Sequence, residues 1–407
     1  MKKILSVVAV SAFCAFAAFA SAENVSVSQD AETRMVTITY ELTAPAIVTV
    51  DVELAGTGGS YESVGDAALS NAAGDVNRYV DKVGQTCTIK WQPMRMMEPC
   101  SADGIRATVQ TWTLSAPPPY MVFDLDITNS VRFYRSEAGL PGGIANDIYR
   151  TSRLVMRRIP AAGITWRMGS PTSQYWRRSA DGETAHLVTM ARDYYIGVFE
   201  FTNYQYGRVC DSQSPSGKMP KGELSWNDLR GSDKDWPTTG HEVGASSFIQ
   251  KLRTRTGQQM DLPTEAQWEY AARAGSSLAL HYSNSDNTEL DKIGWFWINA
   301  YVGDNVYRNN VGLKRANAWG LYDTLGNNTE ICLDWSGAYD AANQTTYDGE
   351  PAGMSSGTHR VMRGSYAWQG SDYMTLSYRD KIAATGSNAF FGFRVVCPVA
   401  YVPPSAE

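Results

Sequence analysis

Residues 363–379, RGSYAWQGSDYMTLSYR, place four aromatic rings and three charged side chains in seventeen positions, with no histidine or cysteine among them. Rings interleaved with small polar residues serve two chemistries. They line active-site clefts, where a nucleophile or metal ligand completes the set, and they build recognition surfaces, because rigid rings offer area at low ordering cost. A second stretch, LYDTLGNNTE (321–330), spaces Asp323 and Glu330 around Gly326 and Asn328. Carboxylate and carbonyl oxygens in such a run suit calcium, a hard cation that takes oxygen ligands at about 2.4 Å. Taken alone, the same spacing also fits a solvated loop carrying two acids.

Other catalytic sets are missing from the pattern. His186, His241, His281 and His359 lie far apart, and no H-x-x-x-H-x-E run joins any of them. No Ser-His-Asp order, nucleophile elbow or Gly-rich phosphate loop stands in a matching context. Asp334 and Glu330 would make a carboxylate pair, but the calcium reading already uses Glu330. Asp372 and Asp380 read most simply as loop charge, with Asp372 also placed to orient a ligand.

The elements that must position these residues follow from length and patterning. A chain of 407 residues exceeds what one core usually serves, so two domains are expected. Hydrophobic residues at 43%, charged ones at 19%, 35 Gly and 22 Tyr describe a folded, loop-rich protein. A net charge of −6 without a Lys/Arg cluster excludes nucleic acid as an expected partner. Lys2 and Lys3, an apolar run and Ala20-Ser21-Ala22 read as a signal peptide over 1–22, so the chain is expected to be exported to the periplasm or beyond. No later segment is apolar and long enough to span a membrane. Export permits disulfides among Cys87, Cys100, Cys210, Cys332 and Cys397. The odd number leaves at least one thiol over; a Cys332–Cys397 bridge would close a long loop, and Cys87 with Cys100 a short one. No C-x-x-C spacing signals zinc or redox chemistry.

Period-two alternation, as in VTITYEL (36–42) and VTVDVEL (48–54), predicts an immunoglobulin-like β-sandwich over 23–115. Three consecutive prolines (117–119) predict a stiff linker over 116–120. An irregular α+β domain over 121–398 and a tail over 399–407 complete the chain. Its clearest helix is LPTEAQWEYAARAG, with Thr264 as cap, Gln267 at the reciprocal position and Gly275 at the end. A second, basic helix is expected in SSFIQKLRTRTG.

Six blocks then fall in a fixed order: IPAAGITWRMGSP (159–171), YIGVFEFTNYQY (195–206), DLPTEAQWEYAARAG (261–275), ANAWGLYDTLGNNTE (316–330), RVMRGSYAW (360–368) and GFRVV (392–396). Together, over roughly 155–398, they resemble the formylglycine-generating enzyme, or sulfatase-modifying factor, family. The resemblance implies a C-type-lectin-like fold poor in regular secondary structure. It also implies a structural calcium site at the Asp323 side chain, the Gly326 and Asn328 carbonyls and the Glu330 carboxylate. A second family calcium site finds no match around Asn299 to Asn305. Members that make formylglycine hold copper(I) between two cysteines that follow a G-S-Y or G-S-W, since soft thiolates are what copper(I) needs. Ser365 and Tyr366 match that motif, but the cysteine positions carry Trp368 and Tyr373, which argues against copper. The family's W-E-W has become Thr329-Glu330-Ile331, and the arginine of its R-L-P-T-E has become Asp261.

Two functions follow from this comparison of motifs. The first is an exported module that binds a protein, peptide or glycan through Trp368, Tyr373, Tyr378 and Phe390, with Asp372 beside them. The alternative is an oxidase that converts a cysteine of a sulfatase or another exported protein to formylglycine. A structural or envelope-associated scaffold is a third reading that the sequence does not separate from the first.

Overall fold

A computed structural model describes residues 20–403 except 57–58, 94–103, 178–181, 213–216, 238–240, 284–285, 303–304, 340–344 and 348–349. The expected signal segment, apart from its last three residues, and Cys100 therefore lie outside the described residues.

In the strand Val36–Leu42 every second side chain is buried, as the period-two pattern requires. It pairs on one side with Ala22–Gln29 and on the other with Cys87–Trp91, which pairs in turn with the short edge strand Ala73–Gly74. A second sheet is built on Ala46–Ala55, which pairs along its length with Ile105–Trp112. The two sheets share one core around Val50, Ile89 and Trp91. This first unit is all β, as expected.

The proline run is held rather than loose. Pro117 and Pro118 are buried, and their carbonyls accept from Arg158 and from the Tyr195 hydroxyl. Docking between the halves goes further. Arg135 pairs with Asp51 and Asp66, the Phe133 amide donates to the Asn77 carbonyl, and Tyr401 packs against Phe133 and Tyr79, with ring centroids 5.1 and 6.3 Å apart. Tyr401, read from sequence as part of a tail, is thus buried at the junction.

The second unit carries a five-stranded antiparallel sheet in the order Val131–Tyr134, Tyr120–Asp124, Arg153–Ile159, Tyr194–Gly197 and Val396–Pro398. A four-stranded sheet, Arg379–Ala383, His359–Arg363, Thr329–Trp335 and Phe391–Gly392, lies beside it. Among the described residues the unit also holds six short helices, α1 (Asn203–Val209), α2 (Trp226–Arg230), α3 (Phe248–Thr256), α4 (Glu265–Arg273), α5 (Asn287–Ile293) and α6 (Trp297–Ala300), and three two-stranded ribbons. The capping box predicted for α4 is present: the Thr264 hydroxyl accepts from the Gln267 amide and the Gln267 side chain accepts from the Thr264 amide. Helix α4 ends at Ala274 in the left-handed region, one residue before the expected glycine. Every one of its residues is buried, polar ones included, so it runs through the interior rather than along one face.

Candidate functional site

Burying α4 puts Glu265 and Glu269 in the core, where an unpaired carboxylate would be prohibitively costly. Arginines on neighbouring strands answer them. Arg363, fully buried at the end of His359–Arg363, pairs with Glu269 and also donates to the carbonyls of Leu376, Ser377 and Tyr378. Arg379 donates to Glu265 at 2.8 Å, and the Tyr339 hydroxyl donates to the same carboxylate at 2.7 Å. Arg394 donates to Glu330 at 2.6 Å, with Trp268 Nε1 on the same oxygen at 2.7 Å. These pairs fix both ends of the 364–378 turn.

The turn itself is shaped by its first two residues. Gly364 has φ +90°, and a Cβ there would stand 3.0 Å from the Trp268 ring, so glycine is required. Ser365 also lies in the left-handed region at φ 64°. Its buried hydroxyl donates to Gln369, whose Nε2 donates to the Tyr378 hydroxyl at 3.0 Å. This chain of three polar groups closes the base of the loop.

Above that base the rings part company. Trp368 is 42% exposed. Its ring lies 5.1 Å from Trp297 on α6, which stacks on Tyr301 at 5.6 Å, and 6.4 Å from Phe390. Tyr366 joins Phe390 at 5.9 Å. The Trp297 amide donates to the Gln369 carbonyl, tying α6 to the loop, and Ala300, Val306 and Ala367 form a small core beneath. The result is a continuous exposed aromatic shelf, extended by Ile298 at 68% exposure. Tyr378, by contrast, is buried, with Tyr373 edge-on at 5.4 Å and half-buried. Of the candidate ligand contacts, Trp368 and Phe390 lie on the shelf, Asp372 is exposed, and Tyr378 is a support with no face to present. Trp297 and Tyr301 escaped sequence reasoning. Their one signal was WFWINAY, whose rings crowd a span too short for a regular amphipathic helix.

The positions matched to the family's calcium site are buried together. Asp323 accepts from the Gly312 amide through Oδ2, while Oδ1 is buried without a partner. Burial raises its carboxyl to about 6, with nearby Glu330 adding to the rise. Glu200, unremarked in the sequence, is pushed well up by burial and by Asp323 and Glu330; it accepts from the Asn328 amide and the Asn327 side chain. Three carboxyl groups thus face Arg394. Asp323 offers the oxygen a hard cation takes, whereas both oxygens of Glu330 are already held by Arg394 and Trp268. Among the described residues no three His, Cys, Asp or Glu side chains converge as a chelating group. Gly326 has a packing reason of its own, because a Cβ there would lie 1.8 Å from the Trp295 carbonyl oxygen.

The thiols correct one expectation. Cys332 and Cys397 are both unpaired and buried, in separate hydrophobic clusters on strands of different sheets. Cys87 is likewise an unpaired buried thiol, and burial pushes Cys397 up to about 12. His281 is buried with its pKa pushed down to about 3 by desolvation, so it stays neutral against Thr324 at 3.0 Å. Asp261, where the family has arginine, is buried and forks onto Arg230 at 2.8 and 2.9 Å. The two positions assigned to copper thiolates carry an indole and a phenol, a donor set that does not suit copper(I).

Comparison with known proteins now has a geometry to meet. The family model of the sulfatase-modifying factor enzyme 1-like domain matches residues 159–399. A relative named chaperone protein LppX, from Paenibacillus barcinonensis, is 29% identical over 245 residues, 51% of this chain and 81% of the relative. The formylglycine-generating enzyme of Streptomyces coelicolor is 37% identical over 139 residues, covering 31% of this chain and 41% of that protein. The serine/threonine-protein kinase pkn1 of Chlamydia pneumoniae is 32% identical over 153 residues, 37% of this chain and 22% of the kinase. Two solved structures cover 60% of the chain, Treponema denticola variable protein 1 (22% identity, TM-score 0.48, 95% of that structure) and PvdO from Pseudomonas aeruginosa (21%, 0.48, 94%). With six ordered blocks, a mostly β, helix-poor domain and a family match over more than half its length, the chain belongs to the formylglycine-generating enzyme, or sulfatase-modifying factor, family.

Proposed function

We propose that this chain is an exported binding member of its family, which recognises a protein, peptide or glycan through the shelf formed by Trp297, Tyr301, Trp368 and Phe390. One observation carries the reading: where relatives of the copper type hold a thiolate, Trp368 stands exposed in contact with Trp297 and Phe390. Exposed rings on a rigid frame are the chemistry of binding hot spots. The name chaperone, borne by the relative whose length this chain covers to 81%, agrees with a protein-facing role. In this reading the N-terminal unit is an immunoglobulin-like spacer, and calcium is a structural ion held at Asp323 with the carbonyls of Gly326 and Asn328.

The test pairs two assays. A peptide and glycan array with the wild type and Trp368→Ala yields a ligand that the variant loses. Copper(I) with oxygen and a cysteine-containing sulfatase peptide yields no aldehyde. Formylglycine formation, or ligand binding indifferent to Trp368→Ala, sinks the proposal and restores the oxidase.

A further inference from the structure

Between the two halves lies a cleft of about 360 Å³, a size that suits a small ligand. One wall is residues 70–77 of the N-terminal unit, including the edge strand Ala73–Gly74. The other is a face of the five-stranded sheet. Antiparallel register places Arg132 opposite Val122 and Arg153 opposite Asp124, and the pleat turns Arg132, Tyr134, Val122, Asp124 and Arg153 to that same face. Arg132 is exposed, and the Arg153 side chain is 34% exposed. Arg153 Nε stands 3.7 Å from Asp124, longer than a hydrogen bond. Tyr134, itself buried, closes the same wall of the cleft.

This wall has a defined chemical preference. Two arginines less Asp124 leave one net positive charge, which matches a monoanion better than a phosphate dianion. Guanidinium groups take carboxylates in a planar fork. Val122 and the alanines of the opposite wall leave room for an apolar body. The cleft is far from spare surface, because the contacts of Arg135 and Phe133 hold its two walls together.

We propose that this inter-domain cleft binds a small organic carboxylate, its anionic group received by Arg132 and Arg153 and its apolar part laid against Val122. The site is independent of the aromatic shelf.

The experiment is calorimetric titration of the full chain with N-acetyl-L-leucine, its amide, and inorganic phosphate. The carboxylate binds, and the amide binds at least tenfold more weakly. Arg132→Gln and Arg153→Gln each weaken the carboxylate roughly tenfold, the range for losing one charge-assisted hydrogen bond. Arg132 is exposed, so Arg132→Gln keeps the wild-type melting temperature and the loss reads as binding. Trp368→Ala leaves the titration unchanged. The proposal is overturned if the carboxylate fails to bind at millimolar concentration, if amide or phosphate binds as tightly as the acid, or if Trp368→Ala rather than Arg132→Gln abolishes binding.

Discussion

Within the seventeen residues 363–379, arginines and rings are used in opposite ways. Arg363 and Arg379 are buried against Glu269 and Glu265, while Trp368, five residues past Arg363, is 42% exposed. Charged groups normally face water and tryptophan normally faces the core. The inversion has a physical logic. Because α4 is buried on all sides and carries two glutamates inward, arginine must follow them, and of the loop between the two arginines Trp368 reaches the surface while residues 374–378 stay inside. A frame held by internal ion pairs leaves Trp368 without a duty to the core, and that ring is then available for recognition.

The contrast is sharpest for stability. Removing Arg363 leaves buried Glu269 with only Arg273 and the Gly169 amide of its polar partners and strands three backbone carbonyls. Arg363→Ala is expected to cost about 3–5 kcal/mol, enough to unfold much of the population. Urea denaturation of wild type and variant measures it; a loss below about 1 kcal/mol would show that the frame is not held by this pair. Calcium comes next. If the ion sits at Asp323 at a hundredfold its Kd, chelation removes about 2.7 kcal/mol and lowers Tm. Asp323→Asn should abolish that response, and an unmoved Tm on chelation would leave the three carboxyls answered by Arg394 and the donors around them.

A smaller effect tests the acid side of the frame. Asp334 is buried, accepts from the Glu265 amide, and has its carboxyl raised from 3.8 to about 7 by desolvation and by Glu265, against the pull of Arg379 and Arg360. The folded state then holds this proton more tightly than the unfolded chain does. Its contribution is most favourable below pH 3.8 and is lost as pH rises through about 7. Glu265 runs the other way, lowered chiefly through Arg379 against the cost of burial, and its contribution fades only as pH falls below its ordinary 4.5. Between pH 5 and 7 only Asp334 of the two slopes downward. Asp334→Asn should therefore flatten the fall in denaturation midpoint across that window; an unchanged slope would assign it to Asp323 and Glu200, whose carboxyls burial also raises.

How much of this could be read in advance divides along the same line. The alternation of Val36–Leu42, the Thr264–Gln267 box and the two main helices were legible because each depends on neighbours in sequence. The six blocks located the turn at 364–378. What remained hidden depends on partners far along the chain. Trp297 meets Trp368 across 71 positions, Glu200 meets Asn328 across 128, and no local pattern marks either. Tyr378 looked like a surface ring because its neighbours are small and polar; its burial follows from Gln369 reaching back to its hydroxyl. The proline run reads in sequence as a stiff linker between domains, since a sequence cannot show that Arg158 and Tyr195 will hold its carbonyls.

The smallest effect on stability is the one that most sharply separates frame from shelf. Trp368 touches Trp297 and Phe390 but fills no enclosed space, and its indole keeps a solvated face. Truncation to alanine should then change folding free energy by no more than about 0.5 kcal/mol, the usual range for a surface position. Its effect on recognition should be far larger, roughly thirtyfold or more in Kd, because a central aromatic anchor is worth about 2 kcal/mol. Trp297→Ala differs in one respect that makes it a second probe. Its amide still donates to Gln369 after truncation, so the loop keeps its tether while the shelf loses a ring. Both variants should lose ligand and keep their melting temperature. If either instead unfolds with the cost of a core residue, the rings are packing that happens to reach the surface, and the division between a locked interior and an available loop fails at the position where it was drawn.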